Sequence, residues 1–247
     1  MAGVPGVASF HLVRERHALV ALARLGTDRL PWRGVDGLRF RRLLGTGAGS
    51  DTGPGADLRR TALFAVWEDD AALDAFEARM QERWRRSVEV WSVRLRGAGG
   101  HGTWRGFDVL GLLDRADPGD GPVAVITRAD VRVGAWRPFR AAGPAVSREV
   151  AQAEGLLAVV GVGEAPVGRL GTFSLWRDVA AMRAFAGSPH HRGVVARTRS
   201  DRWYGEELFA RFVPYASTGS WDGRDPLSEV LSPATPSPPD VPPPARS

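Results

Sequence analysis

TALFAVWEDDAALDAF, from Thr61 to Phe76, returns as LGTFSLWRDVAAMRAF from Leu170 to Phe185. Trp67 falls over Trp176, Asp69 over Asp178 and Phe76 over Phe185, at a spacing of 109 residues. Further on, GTWRGFDVL from Gly102 returns as GSWDGRDPL from Gly219, at a spacing of 117. Two matches in the same order, with a drift of roughly eight residues between them, are what an insertion in one copy of a tandem repeat leaves behind.

Working outward from these segments, each half reads as strand, helix, strand, strand, helix, strand. In the first, SFHLVR (9–14) alternates as a strand, and HALVALARLGTDR carries apolar residues at helical spacing. GLRFRRLLG (37–45) is a second strand that puts Arg39 and Arg41 on one face, and a Gly-rich loop leads to TALFAVW. Asp69 or Asp70 caps the next helix, whose Leu73, Phe76 and Met80 form one stripe. VEVWSVRL closes the half, and RGAGGHGTW reads as a Gly-rich loop holding His101. The second half repeats the order with PVAVITRADV, a helix around 136–153, GLLAVVGVG, GTFSLW and ELFARFVP. Its second helical region, after Asp178, breaks at 187–189, where Pro189 starts a new segment because proline tolerates a first turn and disrupts an interior.

This order predicts an α+β fold. A tandem pair of ferredoxin-like β-α-β-β-α-β units buries the two open sheet faces on each other, as an intrachain version of a dimeric α/β barrel, and encloses a cavity. The expected boundaries are a flexible N-terminus over 1–8, half-domains over 9–118 and 119–227, and a disordered tail over 228–247, where proline is too dense for packing.

Composition narrows the chemistry. There is no cysteine, so disulfides, thiolate nucleophiles and thiolate metal sites are excluded. All 33 basic residues are arginine, spread among 28 acids for a net charge of +5, which reads as a charged surface rather than a nucleic-acid stripe. No apolar run approaches a membrane span and no signal peptide opens the chain, so a cytoplasmic protein without a transmembrane segment is expected. The glycines of GVGEAPVG (161–168) follow a strand and lead into another, so they make a hairpin rather than a phosphate loop, which needs a helix behind it.

Of five histidines, His190 and His191 stand apart: they follow the break at Pro189, and their repeat-mates are Gln81 and Glu82. In HRGVVARTR, Val194, Val195 and Thr198 lie three, four and seven residues beyond His191, which sets it on the core-facing side of a helix while His190 caps or faces water. A neutral imidazole is a good axial ligand for haem iron, with Arg192, Arg197 and Arg199 available for the propionates. A structural role for His191 and solvated arginines is the competing reading. Trp67, Trp91, Trp176 and Trp203, on or beside strands, would give a flat apolar lining for a long or planar ligand.

The stretch from GLLAVVGVG through GTFSLW, the His before VVARTR, and WYGEELFARF resembles the spheroidene monooxygenase family of carotenoid ketolases, over most of residues 9–227. That resemblance implies a haem-dependent monooxygenase oxidising a hydrophobic, carotenoid-like substrate with electrons from a ferredoxin. It carries His191 over as the iron ligand (His190 as the alternative), Trp176 and Phe185 packed behind it, and Trp203 and Tyr204 near the mouth. Two alternatives stay open: a cofactor-free barrel oxygenase acting on a phenol or quinol, and a non-catalytic ligand-binding barrel protein. A monomer or weak homo-oligomer is expected.

Overall fold

The computed structural model describes residues 6–27, 34–47, 49, 55–164 and 168–231. Eight strands form one closed barrel, with every neighbouring pair antiparallel. The first half contains β1 (Val7–Arg14), α1 (Ala18–Thr27), β2 (Leu38–Gly47), β3 (Ala56–Trp67), α2 (Asp70–Trp84) and β4 (Glu89–Gly102). The second contains β5 (Val123–Val131), α3 (Trp136–Ala151), β6 (Leu156–Gly163), β7 (Arg169–Trp176), α4 (Val179–Ala186), α5 (Pro189–Ser200) and β8 (Tyr204–Gly219).

Around the barrel the order is β4-β1-β3-β2 and then β6-β7-β5-β8, so the first half runs fourth, first, third, second and the second half repeats that order in reverse. Register strengthens the parallel. Val7 faces Trp67 across β1 and β3, and Val123 faces Trp176 across β5 and β7. Asp69 and Asp178, both in extended backbone, accept the N–H groups of Ala72 and Ala181 and start α2 and α4 alike. The helical region after Asp178 breaks where proline is expected to break it, with Ser188 capping α5 and Pro189 at its first turn.

The second repeat segment forms the same turn twice. Trp104 and Phe107 pair across Arg105 and Gly106, and Trp221 and Arg224 pair across Asp222 and Gly223. All four central residues have positive φ, between 53° and 87°, the geometry of a tight hairpin turn.

The sheet junctions are unequal. β2 and β6 share two residue pairs, whereas β4 and β8 pair from Trp91–Gly219 to Gly102–Leu208. The glycine-rich RGAGGHGTW, expected as a loop, is therefore the end of β4. Glycine is required there because a Cβ at Gly100 would stand 2.1 Å from the Phe209 carbonyl oxygen, and one at Gly102 would stand 2.0 Å from that of Glu207.

The barrel interior is solid, which corrects the expectation of an enclosed cavity. Phe10 stacks on Phe173 at 3.8 Å and 7°, one ring from each half. Trp104 lies 5.5 Å from Phe64, and Trp221 lies 5.3 Å from Trp91, so the two repeat turns drive indoles into the core. Interiors pack at crystal-like density, and large aromatics on alternating strand positions fill a barrel of this size.

The ends also shift. Gly6 pairs with Leu113, and Val7 and Ala8 are buried, so the flexible stretch expected over 1–8 is packed from Gly6 onward. Ser228–Leu231 forms a short helix, α6, whose Val230 and Leu231 pack on the core. The tail expected beyond that point, and residues 1–5, lie outside the described residues.

Candidate functional site

With the interior filled, the large apolar space lies outside the barrel, between its second-half wall and helices α3, α4 and α5. It is a cavity of about 330 Å³. Strand alternation supplies its floor, because the residues of β5 that point away from the barrel axis, Val125, Thr127 and Ala129, face it. Thr127 shares a hydrogen bond of 2.8 Å with Thr172 of β7, a polar spot in an apolar floor. Phe139, Gly143 and Val146 of α3 form one side, and Val194, Val195 and Thr198 of α5 the other.

In the first half only about 30 Å³ remains between β1, β3 and α2, and the space beside it, between α2 and β4, is an open groove of about 540 Å³ lined by Gln81, Trp84, Val90 and Ser92. Its register equivalents of Thr127 and Thr172 are His11 and Leu63, and His11 packs against Trp84 and Phe76 at 5.2 and 5.8 Å. Helix α2 runs unbroken for 15 residues and delivers Trp84 to this spot. In the second half the break at Gly187–Pro189 interrupts the corresponding helix, and the repeat-mate of Trp84 is Gly193. Gly at the position that matches Trp84, together with a helix split in two, leaves room for the cavity.

His191 stands on the α5 wall of this cavity, in the first turn, where its backbone N–H donates to the Ser188 hydroxyl at 3.3 Å. Its ring is 4.8 Å from Phe185, which stacks on Trp176 at 5.3 Å and 27°. Trp176, Phe185 and His191 thus form a continuous aromatic wall. The Trp176 indole N–H donates to Ser174 at 3.0 Å, so it is satisfied and turns its apolar face to the cavity.

The remaining expected residues divide. Arg199 and Tyr204 line the cavity. Arg192 is exposed on α5 outside the lining, and Arg197 lies over the Trp203 ring at 5.7 Å. Trp203 is buried behind the cavity with Val131 and Ala135, touching it through Phe139. Trp67 belongs elsewhere: it is fully buried under α2 with Phe76, 4.8 Å away, in the first half. Equal repeat positions gave the two tryptophans equal backbones, while the neighbouring helices decided which one borders open space. The side chain of His190 lies outside the described residues.

Sequence reasoning missed His101. As part of β4 it pairs with Phe209 of β8 and reaches the cavity of the other half, 3.8 Å from Glu207. Tyr204 sits beside this pair, its hydroxyl pKa pushed up to about 12 by burial and then by the Glu207 charge, so it remains a neutral donor at physiological pH. Neighbouring Glu206 points to the opposite face, as strand alternation requires, and accepts from Thr103, Arg105 and Gly106 in the turn after β4.

Among the described residues no three His, Asp or Glu side chains cluster as a metal site. The cavity offers two imidazoles, His191 on the aromatic wall and His101 from β4, and its lining also includes Arg128 and Arg199. Either imidazole could ligate an iron whose remaining ligands come with a macrocycle, and the flat Trp176–Phe185 wall suits a planar group.

A closed eight-stranded antiparallel α+β barrel with an apolar cavity between one wall and its helices defines the class. An aldoxime dehydratase crystal structure shares the fold, at a TM-score of 0.59 and 12% identity, covering 92% of this chain and 86% of that one. No protein-family profile matches the chain. Closer relatives carry the assignment. A spheroidene monooxygenase of Rubrivivax gelatinosus is 38% identical over 198 residues, 78% of this chain and 75% of the relative. One of Rhodobacter capsulatus is 33% identical over 83% of this chain and 93% of its own. The chain belongs to the spheroidene monooxygenase family.

Proposed function

We propose that this protein is a monooxygenase that inserts oxygen into a hydrophobic, carotenoid-like substrate held in the cavity under α3 and α5. The observation that carries the reading is the coincidence, in one half of the barrel, of the apolar cavity with an imidazole on its wall. The names of its relatives supply the reaction class and the type of substrate.

His191 is proposed to hold the iron of a haem, and Trp176, Phe185 and Arg199 are the lining residues that would hold the rest of the group. Haem, when bound, would supply the dioxygen chemistry. The protein's own groups do the rest. Apolar residues from α3, α5 and β5 exclude water, and Thr127, Thr172 and Tyr204 offer the hydrogen bonds that orient a substrate. Electrons would come from a small iron–sulfur protein of the ferredoxin type.

The same reading treats the two halves as a tandem duplication of a ferredoxin-like unit, split near residue 118. The shared strand order, turn geometry and capping aspartates support that history. One copy filled its helix–sheet space with Trp84 and His11, and the other kept it open.

The test is turnover of an acyclic carotenoid by purified protein with haem, a one-electron donor and dioxygen. Oxidised product that depends on all three, and is lost in His191→Ala, supports the proposal. Turnover by haem-free protein would instead favour the cofactor-free alternative.

A further inference from the structure

The helices that roof the cavity carry a surplus of charge that the fold does not use. Residues 132–202 hold 11 of the 33 arginines but 5 of the 28 acids, a surplus of 6 against +5 for the whole chain. The rest of the molecule is therefore close to neutral.

On α3, Arg137, Arg140 and Arg148 are exposed, and on α5 so are Arg192, Arg197 and Arg199. Among the described residues none of these six has a carboxylate within ion-pair distance. The contrast with the first half is sharp. There Arg94 alone binds Asp70, Asp74 and Glu77 of α2. Like charges left unpaired on adjacent helices repel one another and lower stability, unless an anionic surface neutralises them.

Apolar groups stand beside the charge. Val133, at the entrance to α3, is 95% exposed, and the Trp136 and Phe139 rings stack at 6.1 Å just beyond it. A protruding aliphatic side chain among exposed arginines, over rings that anchor the helix to the body, is the composition of a surface that sits at a lipid headgroup boundary, with cations at the phosphates and the apolar tip below them. An acidic protein partner would answer the arginines, but it gives no reason for Val133 to be fully exposed.

We propose that the α3–α5 face docks on an anionic lipid bilayer, bringing the roof of the apolar cavity against the membrane surface. Each arginine near an anionic membrane contributes about 1 kcal/mol, or roughly fivefold in partitioning. No helix among the described residues is long and apolar enough to cross a membrane, so the contact is peripheral.

The test is co-sedimentation of the full chain with phosphatidylglycerol-containing vesicles and with pure phosphatidylcholine vesicles, without haem or substrate. This keeps it independent of the proposed reaction. The wild type should bind the anionic vesicles only, and salt should weaken binding. The combined change Arg137→Glu, Arg140→Glu and Arg148→Glu should lower partitioning by about 100-fold or more, and Val133→Asp alone by several-fold. A control with the same charge change on the other half, Arg79→Glu, Arg85→Glu and Arg86→Glu, should stay within about twofold of wild type. Absence of wild-type binding, or equal losses in the two triple variants, overturns the proposal. So does an α3 face that ignores vesicles yet retains an acidic protein.

Discussion

His11 on β1 and Thr127 on β5 occupy the same place in the two halves: each lies opposite residues 109 apart, Leu63 and Thr172. His11 fills the strip between its strands and α2, whereas Thr127 lines the second-half cavity. The Trp67 indole N–H donates to the Ser9 hydroxyl at 2.8 Å, and Ser9 shares a hydrogen bond of 2.9 Å with His11 Nε2.

Complete burial, with a smaller contribution from the Arg94 charge, lowers the His11 pKa from 6.5 to about 3. Between these values the unfolded chain binds a proton that the folded chain refuses. Stability should therefore fall by about 1.4 kcal/mol per pH unit as pH drops from 6.5 toward 3. Denaturant unfolding of wild type and His11→Gln over that range checks this, with a flatter slope expected in the variant.

Glu206 and Glu89 exchange places across the β4–β8 junction. Glu206 caps the turn after β4, and Glu89 accepts from Gly223 at 2.7 Å in the turn after β8. Burial alone would raise the Glu206 pKa, but bonds from Thr103, Gly106, Arg128 and Arg105 outweigh it and hold the pKa near 2. This contribution is complete above about 4.5 and is lost as pH falls toward 2. Glu206→Ala should cost about 2–3 kcal/mol at neutral pH by orphaning backbone N–H groups and Arg128. A thermal melt reads the loss directly.

The barrel was legible in the sequence because its punctuation is local. Asp69, Asp178, Pro189 and the two Trp-centred turns each act within a few residues of themselves. The length of β4 was not legible: Gly97 to Gly102 has poor strand propensity, and only pairing with β8, more than 100 residues away, makes it a strand. The location of the cavity was hidden for a similar reason. Whether Trp67 or Trp176 borders empty space depends on what the covering helix carries fifteen or more residues later. His191 was legible from its helical spacing, whereas His101 was masked by its glycine neighbours.

Gly143 sits inside α3 on the cavity wall, and a Cβ there would meet nothing within 4 Å. Helix-interior glycine costs about 1 kcal/mol relative to alanine, but the ring of Pro144 disfavours a Cβ on the helical residue before it, so Gly143→Ala should leave the melting temperature within about 2 °C of wild type. Gly143→Leu should fill the cavity and abolish ligand binding. Loss of binding beyond that in Gly143→Ala, read by calorimetry and ligand titration, would mark the cavity as a functional site rather than a packing defect.

Ser188 caps the helix that carries His191. Ser188→Ala should cost about 1 kcal/mol and loosen the first turn of α5. Haem affinity should fall in this variant, while Asp69→Ala, the equivalent loss of a cap on α2, should lower stability alone. Parallel haem titrations and melts separate the two effects.

The most direct measurement is the absorption spectrum of the purified protein titrated with haem, beside His191→Ala and His11→Gln. The wild type should give a Soret band that saturates near one haem per chain, persists in His11→Gln, and is lost or strongly shifted in His191→Ala. A wild-type protein that gains no Soret band, or a band indifferent to His191→Ala, would contradict it.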